Sequence, residues 1–140
     1  MKNLKKGQIS IEYLILAGFV AFLIIAVLGV ALLYVDKIRD TMRFNELQNF
    51  ANKVISSSEN VYYSGEPSKI TFNAYLPAGI RNMEIIGNEL VFNVSTSSGE
   101  ARISFRSNVP IEVSGSLGFS EGLKILQVEA SQDKVILREA

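Results

Sequence analysis

The sequence predicts an α+β fold: one long N-terminal helix, apolar in its first half and amphipathic in its second, packed on a small antiparallel β-sheet or sandwich domain. Three observations predict it. No charged residue occurs from Tyr13 to Val35, the first proline is Pro67, and from residue 70 onward the chain becomes short β-prone runs separated by turn residues.

Residues 1–7, MKNLKKG, form a basic lead-in that ends on the first glycine. A helix is expected over 8–62, with Ser10 and Glu12 serving the exposed amides of its first turn. The uncharged stretch 13–35 is long enough to cross a bilayer at ~1.5 Å per residue. Lys2, Lys5 and Lys6 precede it, which places the N-terminus in the cytoplasm and everything after Val35 outside. No A-x-A pattern follows Leu32, so cleavage behind the helix is not expected. Tyr13 and Tyr34 bracket the span as interfacial aromatics. Ala17, Gly18, Ala21, Ala26 and Gly29 give it small surfaces on which another helix can pack closely.

Past the span, Ile38, Met42, Phe44, Leu47, Phe50, Ala51, Val54 and Ile55 recur at mostly three- and four-residue steps, with Lys37, Asp40, Arg43, Glu46 and Lys53 between them. The helix is therefore expected to turn amphipathic without a break. The segment 56–68, SSSENVYYSGEPS, carries loop signals.

The rest of the chain is a predicted β domain, 63–140. Its strands are expected at 70–76, 83–86, 90–95, 101–105, 111–113, 123–130 and 134–137. Gly87–Asn88, Ser98–Gly99 and Gln132–Asp133 are the predicted hairpin turns. A sheet this small gains by packing its inner face on the amphipathic half of the helix.

The 14 basic and 14 acidic residues balance, so no field for nucleic acid is predicted. With no cysteine and no histidine, the chain lacks a disulfide framework, a thiol nucleophile, a Cys/His metal set and an imidazole base. No cofactor and no metal are implied, and no catalytic residues are assigned. Glu84, Glu89, Glu100 and Glu112 fit no calcium-loop spacing. Gly115, Gly118 and Gly122 lack the strand-turn-helix setting of a phosphate cradle and read as loop glycines. Asn93-Val94-Ser95 is an N-x-S sequon in a predicted strand, where alternation puts Asn93 toward solvent and makes it the glycosylation candidate.

The junction KKG-QISIEY, followed by an uncharged span, resembles archaeal type IV pilins with the Q-x-S-x-E form of the class III signal peptide. Lys5, Lys6, Gly7, Gln8, Ser10 and Glu12 carry the resemblance, which covers about the first quarter of the chain. It implies that a prepilin peptidase cuts between Gly7 and Gln8, and that a glutamate stands fifth in the mature chain. It also implies partners: other copies of the chain in a filament, an assembly ATPase and a platform membrane protein. Bacterial type IV pilins differ in beginning with a methylated phenylalanine and often carrying a C-terminal disulfide loop; here glutamine and a cysteine-free tail stand instead.

The charges supply a physical reason for such a cut. Lifting the helix out of the membrane would drag three lysines into the apolar layer at ~2.5 to 3.5 kcal/mol each. Cleavage removes them and frees an α-amine at Gln8, one turn before Glu12, where opposite charges offset each other. On the pilin resemblance, Glu12 pairs with the Gln8 amine of a neighbouring subunit and sets axial register, unless Gln8 cyclises and loses that amine. Ala17, Gly18 and Ala21 are expected subunit contacts.

The expectation is a structural subunit: a single-pass membrane precursor that becomes an extracellular surface filament. Two alternatives stay open, a minor or pseudopilin-like component and a signal-anchored surface protein that binds a ligand through its β domain.

Overall fold

The computed structural model describes the backbone of residues 4–140 and side chains from Ser10 onward. Met1–Asn3 of the expected leader, and the side chains of Lys5, Lys6, Gly7 and Gln8, lie outside the described residues. The fold is α+β, with one helix, α1 (Leu4–Ser64), and seven strands. It divides into two units, Met1–Arg39 and Asp40–Ala140.

The helix begins at Leu4, before Gly7, so Ser10 and Glu12 sit inside it and cap nothing. A single helical glycine costs only about 1 kcal/mol and does not stop propagation. At the other end the helix runs through the serines 56–58 to Ser64. Those residues continue the buried stripe, with Ser58 and Val61 fully buried, so packing overrides their loop preference. Gly65 stops the helix. Its φ of 74° is the left-handed conformation of a C-terminal glycine, and its amide donates to the carbonyls of Val61 and Tyr62, each at 3.2 Å.

The strands are β1 (Lys69–Leu76), β2 (Ile80–Ile86), β3 (Glu89–Thr96), β4 (Gly99–Arg106), β5 (Ile111–Val113), β6 (Gly122–Ser131) and β7 (Lys134–Glu139). All seven fall on the expected runs. They form a four-stranded sheet, β1-β6-β7-β5, and a three-stranded meander, β2-β3-β4. Every pairing is antiparallel except β5 with β7, which is parallel. The turns at Gly87–Asn88 and Gln132–Asp133 are as expected. The third uses Ser97–Ser98, because Thr96 pairs with Gly99 and the glycine opens β4.

Both sheets and the second half of the helix share one core. Leu47, Phe50, Ala51, Val54 and Val61 meet Leu90, Phe92 and Val94 of β3 and Leu126, Val128, Val135 and Leu137 of β6 and β7. The Phe92 ring contacts Phe50 edge-on at 6.1 Å and Phe105 at 5.9 Å. Toward the N-terminus, the core-facing line passes through Arg43 and Asp40. Ile38, Met42 and Phe44, expected on that line, are exposed instead. From Leu47 backward, steps of four and three land on Arg43 and Asp40, so the helical register set by the core puts those apolar residues on other faces.

Candidate functional site

Two regions bear on function: the first unit, and the surfaces of the β domain.

The first unit holds the apolar stretch of a helix long and apolar enough to cross a membrane, and that apolar window is wholly unburied. Leu14, Phe19, Phe22, Ile25 and Leu33 are all exposed, Leu33 by 80%. Among the described residues no intramolecular packing covers this surface. A Cβ built at Gly18 or Gly29 would meet nothing within 4 Å, so both are open approach points.

At 3.6 residues per turn, Ala17, Gly18 and Ala21 fall on one face with Leu14, and Glu12 lies on roughly the opposite face. The helix therefore separates the Glu12 carboxylate from the small-residue stripe. Glu12 is exposed and makes no hydrogen bond or ion pair among the described residues. Below the span, Asp36 and Arg39 approach at 4.0 Å on the exposed surface.

The β domain carries an open groove of about 510 Å³ between the free edges of β2 and β5. Met83, Ile85, Val113, Leu117 and Phe119 line it, with an ion pair between Lys134 and Glu112 at the rim. The loop that closes it is held down at Gly118, whose amide donates to Glu139 Oε2 at 2.8 Å. Ser116 is the hydroxyl in the groove, and no general base contacts it among the described residues.

Asn93 does not stand free on an exposed strand. It is half-buried on β3, the central strand of its sheet, between Asn82 and Arg102. A sequon acceptor is ordinarily a surface-loop residue, which this is not.

Sequence reading missed the outward-facing Tyr75, Leu123 and Ile125. The available signal was in β6, where LKILQVEA places apolar residues on both parities: Leu126, Val128 and Ala130 inward, Leu123 and Ile125 outward. No protein family, curated protein or solved structure matches the chain.

Proposed function

We propose that this chain is the structural subunit of an archaeal type IV pilus, made as a single-pass membrane precursor, cleaved after Gly7 and polymerised through its N-terminal helix. The observation that carries the reading is the KKG-QISIEY junction set directly on an apolar helix that nothing among the described residues covers. A membrane segment that served only as an anchor would have no need of a cut at its cytoplasmic end.

In this reading the chain performs assembly. Removal of MKNLKKG takes away the lysine charges that hold the helix in the bilayer. The mature helix then leaves lipid for a bundle of like helices, where the faces carrying Ala17, Gly18 and Ala21 allow close approach. Glu12, on the other side, finds the α-amine of a neighbour's Gln8, because a lone carboxylate among apolar helices is costly. Lipid and helix bundle are equally apolar, so transfer gains little hydrophobic energy, and an ATPase with a platform protein drives it. The second half of the helix stays in the core of a β domain displayed outside.

Co-expression with a prepilin peptidase tests the first step. The chain should lose seven residues, and Gly7→Leu should block the loss. A chain left intact by the peptidase would favour the second reading, an anchored surface binding protein, to which the apolar groove between β2 and β5 lends support.

A further inference from the structure

The outer face of the four-stranded sheet has two unlike halves. In one, side chains form a bonded ladder across three strands: Gln127 Nε2 donates to Thr71 Oγ1 at 3.1 Å, Arg138 Nε to Gln127 Oε1 at 2.6 Å, and Arg138 Nη2 to Glu129 Oε2 at 2.7 Å. In the other, Tyr75, Leu123 and Ile125 stand 43%, 65% and 49% exposed, with Tyr75 and Leu123 on the wall of a groove shared with Glu46, Asn49 and Lys53 of the helix. Tyr75 and Leu123 are cross-strand partners, so the apolar side chains are contiguous. Beside them Glu121, itself exposed, accepts a hydrogen bond from the Tyr75 hydroxyl at 2.8 Å.

The outer face of the three-stranded sheet is complementary. It holds an open groove of about 410 Å³ lined by Ile86, Glu89, Val91, Arg102 and Ser104. Val91 is 5% exposed yet belongs to no part of the shared core, so the groove floor is apolar on the outside of the domain. Ile86 is 52% exposed on its wall. Arg102 is exposed and makes no ion pair among the described residues.

We infer that these two faces are the halves of one contact between copies of this chain: Leu123 and Ile125 of one copy seat on Ile86 and Val91 of the next, with Glu121 meeting Arg102. The inference rests on the filament reading and adds to it a specific surface outside the apolar helix. The two patches are different and lie on different sheets, so the contact is heterologous and does not pair a copy with itself. Apolar side chains meet an apolar floor, and an exposed carboxylate meets an unpaired guanidinium, which fixes orientation more than it adds affinity.

The chain contains no cysteine, so introduced thiols are unique. The full-length double variant Leu123→Cys/Ile86→Cys, assembled on cells and treated with a short bismaleimide, should give a ladder of covalent multimers in the sheared surface fraction. Each single variant should stay monomeric. Separately, Glu121→Arg should lower the assembled amount several-fold, and adding Arg102→Glu should restore it. Leu123, Ile86, Glu121 and Arg102 are all exposed, so these substitutions leave the core untouched. Filaments that form without a ladder, or dimers from Leu123→Cys alone, would overturn the contact while leaving the pilus reading in place. An unmodified chain that never enters a sheared fraction would remove the pilus reading itself.

Discussion

The carboxylate of Asp40 accepts two hydrogen bonds from Ser97, one from the hydroxyl at 2.6 Å and one from the backbone amide at 3.1 Å. Asp40 is the first residue of the second unit, and Ser97 lies in the turn between β3 and β4. Arg43 stands one turn along the helix, 3.7 Å from the same carboxylate. The core-facing line of the helix thus ends in a polar latch.

That latch is pH-dependent. The Ser97 hydroxyl and then the Ser97 amide hold the Asp40 carboxyl below its ordinary value; burial opposes them by less than either, and Arg43 adds the smallest, lowering, effect. A depressed carboxyl contributes stability above its unfolded pKa of about 3.9, and that contribution is lost as pH falls through the folded value. The Ser97 amide resonance of the full chain in detergent should be constant near neutral pH and shift on acidification below about 4. A resonance that does not move, or one in Asp40→Ala that matches the unmodified chain, would show that the two groups are not coupled.

Phe92 is the hub of the shared core, fully buried and touching one ring from the helix and one from β4. Phe92→Ala should cost the β domain about 3 to 5 kcal/mol in denaturant unfolding. Phe19→Ala, in the exposed span, should leave that transition where it is. Equal effects of the two would mean that the span contributes to the domain's folding.

Ser58 is fully buried and its hydroxyl has no hydrogen-bond partner among the described residues. Burying an unpaired hydroxyl is unfavourable, so Ser58→Ala should stabilise the domain by about 1 kcal/mol. Thermal unfolding monitored by circular dichroism should rise by about 4 °C. A fall of similar size would reveal an ordered partner for the hydroxyl.

The strands were legible because each alternates or concentrates apolar residues between turn signals, and β1 through β7 all fall where those runs lie. Their arrangement was not. β5 has three residues, and nothing in Ile111–Val113 tells that it pairs in parallel with β7 and not with its sequence neighbours. The helix was read correctly as one element but its ends were not, since Gly7 and the serines 56–58 are weak local signals that propagation and core packing outweigh. Ile38, Met42 and Phe44 were placed on the core line because several apolar stripes are possible on a helix with so many apolar residues. Only the position of Leu47, Phe50, Ala51 and Val54 against the sheets selects one. The KKG-QISIEY junction was legible as a motif, because its residues are contiguous. The outer patch of Tyr75, Leu123 and Ile125 depends on strands 46 or more residues apart and needed the fold, as the Tyr75–Glu121 hydrogen bond illustrates.

Glu12 offers a direct test of the assembly step. Glu12→Ala should be cleaved after Gly7 as usual yet accumulate in the membrane, with at least a several-fold loss of filament. Glu12→Gln, which keeps the shape and removes the charge, should behave like Glu12→Ala. Normal assembly of both would dissociate Glu12 from subunit registration.

The central claim is that the leader is removed and the remaining helix polymerises, and mass spectrometry of the N-terminus in sheared cell-surface material tests it most directly. The account predicts a chain beginning at Gln8 in a filament fraction. A chain that retains Met1 to Gly7 and is found only in membranes would contradict it.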